Sequence, residues 1–397
     1  MRLIHLADLH LGFRRFQRLT PNGINQREWD VAMAFNRAVD RIIEIAPDIV
    51  LIAGDVFHSV RPTNTSIVHA YQQFSRLKQS LPDAIIVMIA GDHDTPRSAE
   101  IGCILRLFSP LGIHVVHGEP QRLQFPDRDL SILAVPDALR DHPALDPDPS
   151  AKNNILVIHC ELPGTVPAYA DGQERAIVEV KVEEIKPETW SYVAVGHYHT
   201  FRHYAPNMCY SGSLEYASLN IWADLAEEKQ LKLPGKGMVE FDLTTQKRKF
   251  HFLPATRPII DLPPIAARGM SAADLDAAIM EGIQRVSGGI DDKIIRQVVR
   301  DVPRHIAREL DHKVLRELKR RALHYHLDTR RPEVIRSVAS GGPGRRPSLA
   351  ETVRDHLQRR IITSDIDRER LVGMGLDYLR EAENIEANAP VAAGTIE

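Results

Sequence analysis

Through the first half of the chain, short runs rich in β-branched residues alternate with longer stretches whose apolar positions recur every three or four residues. The runs predict strands at residues 3–7, 49–53, 84–90 and 113–116. Between them, Val31, Phe35, Val39, Ile42 and Ile43 share one helical face, as do Ile67, Tyr71, Phe74 and Leu77. This alternation is the signature of a layered α/β domain. Strand-like runs continue at 130–135, 155–158 and 192–195 with less helical pattern between them. A second sheet is therefore expected to pack on the first with the helices outside, as a two-sheet αββα sandwich.

The pattern changes after a strand-like run at 238–243. Pro254, Pro258, Pro263 and Pro264 punctuate a linker. A small α+β domain follows, with a helix at 272–286, a strand at 294–299 and a basic helix at 310–323. Residues 337–348, SVASGGPGRRPS, read as a flexible connector. Beyond it, Ser348 and Glu351 form a capping box, and Leu349, Val353, Leu357 and Ile361 mark one helix face. Ser364 with Asp367 offers a cap for a second helix, whose Val372, Leu376 and Leu379 share a side. Two short amphipathic helices on a tether bury little by themselves, so they either hold a partner or fold back on the body. The expected division is 1–253, a small domain at 254–336, the connector 337–348, the helical pair 349–386 and a disordered tail 387–397.

Composition mainly excludes. With 43% apolar and 26% charged residues among 397, and no apolar run near the ~20 residues that span a bilayer, no membrane segment is expected. Arginine and histidine interrupt MRLIHLADLHLG at once, so no signal peptide is read there and a cytoplasmic location follows as an expectation. Cys103, Cys160 and Cys209 lack metal or disulfide spacing and suit reduced thiols. A net charge of −3 means that any nucleic-acid contact must be local. The basic stretch 300–331, ten Lys or Arg against five acids, serves either as a solvated helix face or as such a contact.

The chemistry sits at strand ends. Asp8 and His10 close the first strand in DLH, Asp55 the second in GDVFH, and Asp92 with His93 the third in GDHD. His159 follows the run at 155–158, and His197 and His199 follow 192–195 in GHYH. One Asp or His at a strand end is ordinarily a helix cap or a satisfied polar group. Five such sites after five strands converge on one edge of an α/β fold, where ligands gather. Carboxylate with imidazole suits manganese, iron or zinc. Two such ions ~3.5–4 Å apart share a carboxylate and act on a phosphate. Gly54, Gly91 and Gly196, each just ahead of ligands, are expected to let the backbone turn sharply.

These motifs resemble the calcineurin-like metallophosphoesterase superfamily, whose third motif is usually GNH followed by Asp or Glu. HLADLHLG, AGDVFHSVRPTN and YSGSLEYAS (210–218) narrow the resemblance to the nuclease subunit of SbcCD-type break-repair complexes. It covers the metallophosphoesterase sandwich at 1–253 most strongly, and more weakly a DNA-binding cap and a C-terminal helix pair. The resemblance implies that Asp8, His10, Asp55 and His199 hold one divalent ion and Asp55, Asp92, His159 and His197 a second, with Asp55 bridging. Mn2+ is the expected metal, Fe2+ or Zn2+ the alternatives. It implies His93 near the scissile phosphate, His58 as a second catalytic histidine, and Tyr198 pointing away to pack. The implied partners are DNA, an SMC-like ATPase whose coiled coil the terminal helices grip, and a second copy of the chain.

Asp92 departs from the family pattern, placing a carboxylate where a neutral Asn is usual. Three readings follow: a manganese-dependent DNA exo- or endonuclease in break processing or defence, a phosphodiesterase of small phosphoesters, or an attenuated scaffold subunit. The cap and terminal helices weigh against the second, and retention of every other ligand against the third.

Overall fold

A computed structural model describes residues 1–96, 102–137, 144–163, 178–332, 348–359 and 367–387. Residues 333–347, Ser364 and 388–397, which include most of the expected connector and tail, lie outside the described residues. The chain divides into two units, Met1–Pro332 and Glu333–Glu397.

In the first unit, β1 (Arg2–Leu6), β2 (Ile49–Ile52), β3 (Ile85–Ile89) and β4 (His114–Val116) run parallel in that order, joined through α1 (Gln26–Ile45) and α2 (Asn64–Ser80). A second sheet holds β5 (Gln121–Phe125), β6 (Leu130–Val135), β7 (Asn153–His159), β8 (Tyr192–Gly196), β9 (Arg202–Ala205) and β10 (Met208–Tyr210), with β10 between β8 and β9 and the short α3 (Val182–Ile185) before β8. The chain then passes through α4 (Ile221–Leu231) and returns to the first sheet as β11 (Gly237–Asp242), antiparallel to β1, and the edge strand β12 (Lys247–Phe252).

The period-two pattern sends alternate side chains to different layers. Leu3, Leu51 and Val87 meet Ile132, Val157 and Ala194 between the sheets. Ile4, Val50 and Met88 face the helices, against Phe35, Val39 and Phe74. Leu133, Leu156 and Val193 line the outer face of the second sheet. Burying these three layers is what fixes strand register, since a one-residue slip would exchange the faces. On α2 the buried line is Ser66, Ala70, Phe74 and Leu77; Tyr71, expected on that face, stands exposed.

The small domain is wound β13 (Ile259–Ala266), α5 (Ala272–Gln284), β14 (Ile294–Arg300), α6 (Arg304–Glu309), α7 (His312–Arg321) and β15 (His324–Thr329), with all three strands parallel. Pro263 and Pro264, expected in a linker, lie inside β13. They are tolerated because β13 is an edge strand whose register shifts between Leu262 and Ile265. The basic helix begins later than expected, at His312, where Asp311 accepts the Lys313 and Val314 amides at 2.9 and 3.0 Å. This domain packs on the sandwich through Ile294 and Leu323 against Tyr216, Ile221 and Trp222. Arg257 reaches back to the buried Asp30 at 2.9 Å, and His324 stacks on Phe16 with ring centroids 3.9 Å apart.

The second unit contains α8 (Leu349–Arg359) and α9 (Arg368–Ala387). The Ser348–Glu351 capping box forms, and Asp367 itself caps α9 by accepting the Glu369 amide at 2.9 Å. The helices close on one another at Gly375, where any larger residue would strike Leu357. No helix among the described residues is long and apolar enough to cross a membrane.

Candidate metal centre

The carboxyl ends of β1, β2, β3, β7 and β8 meet at one edge of the sandwich. Backbone bonds fasten the loops that leave them: Asp8 N–H to Gly54 O at 3.1 Å, His10 N–H to Asp55 O at 2.9 Å and Leu11 N–H to Val56 O at 2.9 Å. All nine residues singled out from the sequence come together there, although His159 is the last residue of β7 and not the first after it. Ligand atoms of Asp8, His10 and His199 lie within 4.8 Å of one another, and so do those of Asp92, His159 and His197. Asp55 joins Asp8 and His159 in one such group and Asp92 and His93 in another, which places it between the two sets.

Backbone strain marks the same residues. Asp8, His10 and Asp55 sit at φ 53°, 45° and 52°, and His197 at 109°. Such conformations cost about 1–3 kcal/mol each outside glycine and persist only where the surroundings over-determine them. Two amides do so directly: His197 N–H donates to Asp8 Oδ1 at 3.0 Å and His93 N–H to Asp55 Oδ1 at 3.1 Å. The glycines work differently from expectation. Of the three, only Gly54 has a positive φ, +96°; at Gly91 and Gly196 a Cβ would lie 2.1 Å from Asp55 Oδ1 and 1.8 Å from Ala53 O, so close approach and not turning requires them.

Two of the imidazoles, His159 and His93, are aimed from behind by backbone carbonyls. His159 Nδ1 donates to Ala53 O at 2.8 Å, leaving Nε2 for the site, 3.1 Å from Asp92 Oδ1. His197 Nδ1 approaches the same oxygen at 3.3 Å. His10 Nε2 and His199 Nε2 face each other at 2.8 Å. His93 Nδ1 donates to His58 O at 2.8 Å, and the two rings stack, 5.0 Å apart. Tyr198 turns away, as expected, and its hydroxyl donates to Glu227 at 2.7 Å.

The electrostatics suit a site that can hold cations. Burial, together with Asp92 and Asp8, pushes the Asp55 carboxyl well above its usual range, while burial and the neighbouring His199, His93 and His58 depress His10. Burial alone would make His159 less basic, yet Asp55, Asp92 and Asp8 raise it well above 6.5. Burial likewise opposes ionisation of Asp92, but hydrogen bonds from His159 and His197 hold its carboxyl far below the ordinary value. Three carboxylates thus crowd together, with imidazole protons and two backbone amides as their donors. Asp8 Oδ2 is buried with no hydrogen-bond partner, a costly state for a carboxylate oxygen unless a cation takes it. An oxygen and nitrogen donor set without thiolate fits hard or borderline divalent ions.

Sequence reasoning gave no role to Asp94 or to the 210–218 motif. Asp94, fully buried, accepts the amides of Val56, Phe57 and Gly91 at 3.0, 2.9 and 3.2 Å and so ties the Asp55 loop to the Asp92 loop. In the motif, Ser213 N–H donates to His199 O at 3.1 Å, and Glu215 pairs with the buried Arg27 at 3.3 Å. Only the Asp that closes GDHD, in the place of the family's usual Asp or Glu, could have signalled Asp94.

A sequence profile of calcineurin-like phosphoesterases matches residues 1–201. The chain belongs to that family. Three curated proteins named DNA double-strand break repair protein Mre11 are similar to this phosphoesterase. The one from Methanococcus maripaludis is 27% identical over 259 residues, 62% of this chain and 63% of that protein. That from Methanopyrus kandleri is 28% identical over 216 residues, 50% and 44% of the two. That from Thermoplasma acidophilum is 28% identical over 233 residues, 55% and 57%. The chain thus spans roughly half of each relative's length, from 44% to 63%.

Proposed function

We propose that this phosphoesterase is a two-metal DNA nuclease, with Asp8, His10, Asp55 and His199 holding one ion and Asp55, Asp92, His159 and His197 the other. The observation that carries the reading is Asp55, strained and buried between two ligand sets. Two divalent ions bound there would activate water and neutralise charge on a phosphate, Mn2+ suiting the donors best. The protein groups contribute orientation and a proton. With its Nδ1 proton on His58 O, His93 presents Nε2 to the site, the place for a donor to the leaving oxygen, and His58 fixes that ring. DNA as substrate is supported by the name the three relatives carry and by α7, whose Lys313, Arg316 and Lys319 flank the buried Leu315 and Leu318. We assign residues 254–336 to a DNA-binding cap and the whole protein to the cytoplasm, where its three buried cysteines stay reduced.

The test is metal content together with cleavage of single- and double-stranded DNA and of a small phosphodiester. Two ions per chain and Mn2+-dependent DNA cleavage are expected. One tetrahedral zinc, or cleavage of the small ester alone, overturns the reading.

Two partners complete the proposal. The paired helices α8 and α9 leave Leu349, Met374 and Tyr378 exposed, apolar groups suited to the coiled coil of an SMC-like ATPase. Deleting residues 349–397 should abolish co-purification with such an ATPase while leaving the phosphoesterase folded; unchanged association would leave those helices without that role. Val68 and Tyr71, exposed about one turn apart on α2, offer a surface to a second copy of the chain.

Asp92 bears on rate. With three carboxylates, two bound divalent ions would leave one net positive charge on the site, one fewer than with Asn, so the site would draw a phosphate less strongly and supply a less acidic water. Asp92→Asn is expected to raise Mn2+-dependent cleavage by roughly tenfold, about 1.4 kcal/mol in the barrier. A slower Asp92→Asn enzyme would instead mean that the surrounding groups are tuned to the carboxylate.

A further inference from the structure

Behind the two-histidine loop 197–199 lies a buried charged cluster that none of the chemistry above uses. Lys236, with its side chain only 1% exposed, donates to His199 O at 2.9 Å and to Asp224 Oδ2 at 3.1 Å. Its ammonium also stands 3.2 Å from Glu228 Oε1 and 4.7 Å from the centre of the Tyr216 ring. The Tyr216 hydroxyl closes the cluster on Glu228 at 2.6 Å. Three acids of α4 point into this region, because Glu227, between the other two, takes the Tyr198 hydroxyl at 2.7 Å. Ile221 and Trp222 in the first turn of α4 pack against Ile294 and Leu323 of the small domain, and the Arg296 guanidinium lies 4.8 Å over the Trp222 ring. The helix is therefore anchored to the small domain while its acids hold the loop.

A buried ammonium with two carboxylates is not explained by stability, since well-packed apolar residues of similar volume generally do as well or better. What an apolar residue could not do is direct a donor at the His199 carbonyl. That carbonyl receives Lys236 Nζ and the Ser213 amide at 2.9 and 3.1 Å, so the peptide between His199 and Thr200 has little freedom to rotate. Tyr198, bound to Glu227, fixes the residue between the two imidazoles. Groups that orient ligands in this way shape affinity without touching the ion.

We infer that α4 and Lys236 form a clamp that positions His197 and His199 for metal binding, with Lys236 and Tyr198 as positioning residues. The inference rests on the two-metal reading. Its test is an Mn2+ titration of the full chain followed by electron paramagnetic resonance, which separates free ion, isolated bound ion and a spin-coupled pair. The parent protein should show the pair. Lys236→Met combined with Asp224→Asn and Glu228→Gln removes the cluster's charges together, so that no unpaired carboxylate is left buried. This variant should bind the ion assigned to His199 roughly 10- to 100-fold more weakly and lose the coupled signal, with an unfolding midpoint near the parent's. Tyr198→Phe, which breaks the other arm of the clamp and leaves the charges in place, should weaken the same ion and serves as the decisive variant if the triple substitution does not fold. A coupled pair retained at parental affinity in the folded variant overturns the clamp alone. Absence of the pair in the parent protein overturns the two-metal reading, and the clamp with it.

Discussion

Replacing His93 with alanine is expected to lower DNA cleavage by about 10²–10⁴-fold, the usual share of a positioned acid or base, while two metals remain bound. The separation follows from how the residue is built in. Its contact with the Asp55 carboxylate is made by the backbone, His93 N–H to Asp55 Oδ1 at 3.1 Å, and survives removal of the ring. The ring is oriented by His58 O at 2.8 Å on its Nδ1 side and lies edge-on to His10, 4.7 Å between centroids. A thousandfold loss corresponds to about 4 kcal/mol of barrier, far more than the packing of one partly buried ring would contribute to a chemical step. The competing role is coordination, since His93 Nε2 stands 3.8 Å from Asp92 Oδ2 and His93 falls in a group with Asp55 and Asp92. Metal analysis beside the rate decides between them: if Mn2+ content falls in step with cleavage, His93 is a ligand and not the proton donor.

The sequence shows the centre more clearly than it shows the fold around it, and the reasons are physical. Parallel strands buried on both faces read as unbroken apolar runs, so β1, β2, β3, β7 and β8 announce themselves and a polar residue at each end stands out. Edge strands do not. KRKFHF of β12 and RHYA of β9 lie at the margins of their sheets, where one side is open and charge is tolerated. Pro263 and Pro264 look like a linker because proline ends central strands, and nothing local reveals that β13 is an edge. Buried charges were the other omission. Asp94 and Lys236 act largely on backbone groups distant in sequence, the Val56 and Phe57 amides and the His199 carbonyl, partners that leave no pattern in the side-chain sequence.

Asp94 carries the larger structural expectation. Asp94→Ala should destabilise the protein by about 3–9 kcal/mol, because the amides of Val56, Phe57 and Gly91 would each lose their acceptor in a fully buried place, at about 1–3 kcal/mol apiece. That is a large fraction of the 5–15 kcal/mol by which domains are ordinarily stable. Asparagine is not a mild substitute. One oxygen, Oδ2, accepts both Val56 N–H at 3.0 Å and Gly91 N–H at 3.2 Å, and Oδ1 accepts Phe57 N–H at 2.9 Å, so an amide nitrogen in either position opposes donor to donor. Burial drives the carboxyl up to about 6, against the pull of the Phe57, Gly91 and Val56 amides, which shows how much desolvation those bonds must offset. Because the three amides belong to the loops that carry Asp55 and Asp92, the loss should appear in metal binding as well as in folding. Thermal unfolding of Asp94→Ala with and without excess Mn2+ separates the two, since an ion that binds only the folded state raises the midpoint by mass action. The expected result is a much lower midpoint without metal and a smaller rise on adding it than in the parent protein. A metal-free midpoint unchanged from the parent's would mean that Val56, Phe57 and Gly91 find other acceptors and that Asp94 does not hold the loops together.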